Sequence, residues 1–132
     1  MAYRTVYIVS KDPAVRDSLA ELAGSAGLRT EALPSVDAWL EVAEPEPGGC
    51  IVLDAGAADL IDPQRCEQFA RACTRIPVLV LTDPGDIPTA VRALKQGAAD
   101  VLQKPVRGQN LLERIKRAVE MKGDVASDTH RP

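Results

Sequence analysis

Only 3% of the 132 residues are aromatic, and the single histidine, His130, lies two positions from the C-terminal Pro132. The first shortage argues against a platform that stacks nucleobases. The second excludes an HExxH zinc site and argues against a histidine-based triad. Basic charge is also in deficit: 16 Lys and Arg face 19 Asp and Glu, a formal net charge of −3. No broad basic surface for nucleic acid is expected. Three cysteines, Cys50, Cys66 and Cys73, are too few and too scattered for a disulfide framework. No apolar run approaches the roughly 18 residues of a membrane span, and the N-terminus lacks the apolar segment of a signal peptide. The expected location is therefore the cytosol, with no membrane partner.

What remains is the composition of one globular domain, 45% hydrophobic and 27% charged. Along it the hydrophobic period alternates between about 2 and about 3.6. Thr5 to Val9 is β-branched and aromatic and reads as a buried strand. Asp12-Pro13 then supplies an N-cap and a first-turn proline for a helix with Val15, Leu19, Leu22, Ala23 and Ala26 on one face, closed by Gly27. Arg29 to Leu33 is a weaker strand. Ser35 caps a second helix carrying Val36, Trp39, Leu40 and Ala43, stopped by Pro45, Pro47 and Gly48-Gly49.

Cys50 to Leu53 is a continuous apolar run, as in a strand covered on both faces, and it ends at Asp54. Asp62-Pro63 repeats the capping device and opens a helix with Cys66, Phe69, Ala70 and Cys73. Pro77 to Leu81 is another buried strand, ending at Thr82. The helix from about Ile87 to Gln96 is expected to bury Val91 and Leu94. Ala99 to Gln103 is the last strand, and a helix from about Gln109 to Met121 buries Leu111, Leu112, Ile115 and Val119. The segment 122–132 reads as a disordered tail or linker, leaving residues 1–121 as the domain.

Five strands alternating with five helices imply an α/β fold, a doubly wound parallel sheet of flavodoxin-like (βα)5 type in the order 2-1-3-4-5. Such sheets place ligands beyond the carboxyl ends of their strands, where strand order reverses. Those ends bring together Ser10, Lys11 and Asp12, then Asp54, then Thr82, then Lys104 with Pro105. An aspartate at the mouth of an apolar strand can attack phosphorus to form an acyl phosphate. A lysine and a hydroxyl nearby would neutralise the developing charge.

Five strings in order resemble response-regulator receiver domains, CheY-like and of the FixJ type, over about residues 4 to 121. They are Val6-Tyr7-Ile8-Val9 with the Pro13 to Leu19 segment, Val52-Leu53-Asp54, Val80-Leu81-Thr82, the Ala90 to Asp100 segment, and Lys104-Pro105. The resemblance implies a signalling module, not an enzyme, in a two-component phosphorelay. Asp54 would be the phosphoacceptor, served by a histidine kinase or another signalling protein. Thr82 and Lys104 would stabilise the phosphoryl group. An acid pair after the first strand would hold Mg²⁺, and the fourth helix, fifth strand and fifth helix would form the responsive face and a possible dimer surface. Receivers of this type usually precede a helix-turn-helix domain, which nothing after Met121 supplies; the chain either stands alone or ends within a linker.

The departures from that pattern are specific. Ser10-Lys11 stands where the family has its acid pair, so Asp54, Lys104 and Lys11 carry a net +1. Mg²⁺ wants hard oxygen ligands, preferably carboxylates, and is expected to bind weakly or not at all, through Asp54, Asp12 and the Gly56 backbone at most. Ala57-Ala58 replaces the family's Met-Pro, Asp62 replaces a glycine, and Val101 replaces an aromatic switch residue. Lys11 is expected beside Asp54, as a substitute for the missing metal cation. Two alternatives stay open. One is a pseudo-receiver that acts only as an interaction module. The other, poorer one is a flavodoxin-like cofactor binder, whose phosphate loop would want glycines that Ser10 to Ala14 lacks.

Overall fold

The computed structural model describes residues 5–42, 49–56 and 60–128, the last of these with side chains to Val119. Five strands, β1 (Thr5–Val9), β2 (Arg29–Leu33), β3 (Cys50–Asp54), β4 (Val78–Thr82) and β5 (Asp100–Gln103), form one parallel sheet in the order β2-β1-β3-β4-β5. The helices are α1 (Pro13–Ser25), α2 (Val36–Leu40), α3 (Pro63–Arg75), α4 (Ile87–Lys95) and α5 (Gly108–Asp128). This is the expected flavodoxin-like architecture, and the expected strand order.

Because side chains alternate along a strand, the central strands feed two separate cores. Tyr7, Val9, Ile51, Leu53, Val78 and Val80 pack with Trp39, Phe69, Ala72 and Ala93 from α2, α3 and α4. Val6, Ile8, Val52, Leu79 and Leu81 pack instead with Leu111, Ile115 and Val119 of α5 and with Leu19 and Leu22 of α1. Tyr7 and Trp39 meet edge to face, ring centroids 5.8 Å apart. The two acid-proline devices work as read: Asp12 accepts from Ala14 N–H and Asp62 from Arg65 N–H. Burial pushes the Cys50 and Cys73 thiols up to about 12, which disfavours the thiolate form at both.

Three expectations need correction. Val91 and Leu94 are not buried: they are 41% and 53% exposed, while Thr89 and Ala93 face the sheet. Small residues let α4 lie close to β4 and β5, and the larger apolar ones point outward. Helix α2 is short, ending at Leu40, and Ala43, Pro45, Pro47 and Gly48 lie outside the described residues, as do Ala57 and Ala58. Helix α5 continues past Met121 to Asp128, so the expected tail begins as helix. Among the described residues no helix is long and apolar enough to cross a membrane.

Candidate functional site

The parallel hydrogen-bond ladder continues one step past the strand ends, and those steps fix the site. Ser10 N–H donates to Leu33 O at 3.2 Å, Ala55 N–H to Leu81 O at 3.1 Å, and Lys104 N–H to Thr82 O at 2.8 Å. The backbone on both sides of Asp54 is thereby held by the sheet itself. Arg16, one turn into α1, adds a brace by donating from Nη1 to the Ser10 carbonyl at 2.6 Å.

Asp54 sits at the end of β3 with its two oxygens separately engaged. Oδ1 carries the Lys104 ammonium, brought in from beyond β5. Oδ2 accepts from the Ser10 hydroxyl at 3.0 Å, and that hydroxyl in turn accepts from Asp12 N–H at 3.1 Å. Ser10 is 2% exposed, so a buried hydroxyl rather than water meets this face of the carboxylate. Lys104 also lies 3.5 Å from Asp83, an acid just beyond β4. Burial lowers the Lys104 pKa, but the hydrogen bond and charge of Asp54, then the charge of Asp83, outweigh it and raise the pKa overall. Lys104 stays an ammonium across the neutral range.

Thr82 is fully buried, and its hydroxyl has no hydrogen-bond partner. A donor in that state is costly unless something comes to meet it. Pro105 follows Lys104 through a cis peptide bond. Two clefts flank Asp54. One of about 220 Å³ is walled by Asp12, Gly56, Asp83 and Lys104, and one of about 120 Å³ by Pro34, Val36, Arg65 and Phe69; both share Ser10, Lys11 and Asp54.

The structure thus gathers Ser10, Lys11, Asp12, Asp54 and Lys104 at one mouth, with Thr82 at the adjoining strand end. It does not seat Lys11 as expected. The ammonium on Asp54 is that of Lys104, while Lys11 is an exposed residue at the cleft rim. The turn after β1 buries its short residue, Ser10, against Asp54 and leaves Lys11 exposed at the rim of both clefts. Sequence reasoning missed Asp83 and Arg16. Neither has a local signal, because each acts on a residue of a different strand end or of the preceding loop.

A model of the response regulator receiver domain matches residues 6–116 of this chain. The chain belongs to the receiver-domain family. Among its relatives, nodulation protein W of Bradyrhizobium diazoefficiens is 38% identical over 115 residues, covering 87% of this chain and 51% of that protein. The transcriptional regulatory protein FixJ of Azorhizobium caulinodans is 33% identical over 114 residues, covering 86% and 54%. The solved structure of FixJ-N superposes with a TM-score of 0.78 at 33% identity, covering 91% of this receiver and 96% of that chain. The response regulator StyR gives a TM-score of 0.79 at 34% identity, covering 97% and 65%. This receiver spans about half the length of the curated relatives it matches.

Receivers generally use Mg²⁺ for phosphorylation. The donor set here does not suit it. Asp12 uses its carboxylate to cap α1, and Asp54 engages both oxygens with Ser10 and Lys104. Among the described residues no group of three or more acidic, cysteine or histidine side chains is placed to hold a metal ion. A hard dication that prefers free carboxylates would meet carboxylates already engaged by the α1 cap, by Ser10 and by Lys104.

Proposed function

We propose that this receiver accepts a phosphoryl group on Asp54 from a histidine kinase, as a cytoplasmic module of two-component signalling, with Mg²⁺ weakly held at most. The observation that carries this reading is the Lys104 ammonium on the Asp54 carboxylate at an open strand-end cleft. The carboxylate oxygen attacks phosphorus, the bond to the donor's leaving group breaks, and an acyl phosphate forms. Lys104 neutralises the charge gathering on the phosphoryl oxygens, and the unpartnered Thr82 hydroxyl is a ready donor to them. The domain responsible is the receiver over residues 1–121, with α5 running on beyond that boundary to Asp128. The exposed Ile87, Val91 and Leu94 of α4 support a dimer surface on α4, β5 and α5.

The test is incubation with acetyl phosphate followed by intact-mass measurement. The expected product is a single phosphoryl adduct that hydroxylamine removes and that Asp54→Asn abolishes. One observation favours the pseudo-receiver reading: Ser10 and Lys104 already occupy both Asp54 oxygens. Absence of any adduct, with acetyl phosphate and with a kinase donor alike, would leave that reading standing.

A further inference from the structure

The Lys104 ammonium has two carboxylates to serve. Asp54 is 14% exposed by its side chain and lies at the base of the cleft, whereas Asp83 is 67% exposed and stands at its wall. Asp83 is not loosely placed. Its carbonyl accepts from Asp86 N–H at 3.1 Å, closing a turn with Pro84 and Gly85 at the centre, and Gly85 adopts φ +78° as a type II turn requires. The next step of chain is fixed as well, because Asp86 caps α4 through Thr89, bonding its amide at 3.2 Å and its hydroxyl at 2.6 Å. A rigid turn therefore holds one negative charge beside the ammonium that Asp54 needs. Lys11 and Asp12 are the other charged groups lining this cleft.

We propose that Asp83 is a built-in restraint on phosphorylation of Asp54, sharing the Lys104 ammonium and presenting a negative charge to the incoming phosphoryl group. The inference rests on Asp54 being the phosphoacceptor. In the resting state Lys104 bridges the ends of β3 and β4. Once a phosphoryl dianion is on Asp54, it outcompetes the singly charged and solvated Asp83 for the ammonium. Asp83 is a positioning residue in this scheme: it acts through Lys104 and through the field of its charge at the cleft wall, and touches no reacting atom.

The experiment compares wild type, Asp83→Asn and Asp83→Glu in the intact chain, with acetyl phosphate as donor and intact mass as readout. Asn keeps the size and loses the charge; Glu keeps the charge. For a solvent-exposed charge the expected gain in initial rate for Asp83→Asn is about two- to fivefold at low ionic strength. At about 1 M salt, where the screening length is about 3 Å, the gain should largely vanish. Asp83→Glu should stay within about twofold of wild type, and NMR titration should show the Lys104 ammonium deprotonating at lower pH in Asp83→Asn. Adducts forming on Asp54 at equal rates in wild type and Asp83→Asn would overturn the restraint and leave the phosphoacceptor reading intact. A gain that salt does not reduce, or one that Asp83→Glu shares, would overturn it too, as a steric effect. No adduct on any variant would remove both readings together.

Discussion

Every polar atom of Ser10 is engaged: its amide with Leu33, its carbonyl with Arg16, and its hydroxyl with both Asp54 and Asp12 N–H. Ser10 stands where the family resemblance implied the first acid of a pair. A carboxylate here would face Asp54 at close range with no water between, so the pair would need a cation. Replacing Ser10→Asp and Lys11→Asp together is therefore expected to tighten Mg²⁺ binding at least about tenfold by calorimetry, and to make the melting temperature rise with added Mg²⁺. Wild type should bind more weakly than the micromolar range. A tight wild-type isotherm, or a double variant indifferent to Mg²⁺, would sink the hard-ligand argument. The identities of Asp54, Thr82 and Lys104 were legible from strand ends and from resemblance, since a parallel sheet must bring its carboxyl ends together. Which lysine meets Asp54 was not legible. Sequence places Lys11 and Lys104 at the same mouth, and only the direction of the chain leaving β1 decides between them.

At the scale of elements, boundaries marked by chemistry were readable, and faces were less so. Asp12-Pro13 and Asp62-Pro63 announce α1 and α3 because an acid caps the first amides and proline has no amide to lose. Helix α4 misled for a physical reason. Its large apolar residues Ile87, Val91 and Leu94 recur at helical spacing, and periodicity says only that they share a face. What it cannot say is whether the sheet prefers that face or the flatter one offered by Thr89 and Ala93. Stability measurements separate the two. Leu94→Ser should change unfolding free energy by no more than about 0.5 kcal/mol, as for other exposed positions. Ala93→Leu, at a site with 0% exposure, should cost about 1–3 kcal/mol by overpacking against the sheet. The opposite ranking in chemical denaturation would restore the inward reading of Leu94.

Across the whole molecule, the site owes its rigidity to a sheet that belongs to both cores at once. Val9, Leu53 and Val80 face α2, α3 and α4, while their chain neighbours Ile8, Val52 and Leu81 face α1 and α5. The alternation stops at Ser10, Asp54 and Thr82, where polar side chains replace apolar ones and the cleft begins. Neither core can loosen alone without releasing strands that the other core uses. Phe69, 1% exposed on α3, and Ile115, 2% exposed on α5, lie on opposite sides of that sheet. Phe69→Ala should cost about 3–5 kcal/mol. Trp39, in the same core as Phe69, reports the loss by fluorescence during denaturation. If the sheet couples the layers into one cooperative unit, amide exchange around Ile115 on the far side must speed up by the same free energy. Unchanged protection of α5 beside a shifted Trp39 transition would mean two independently melting layers. The strand ends would then be held from one side only, and the fixed geometry of Asp54, Ser10 and Lys104 would need another source.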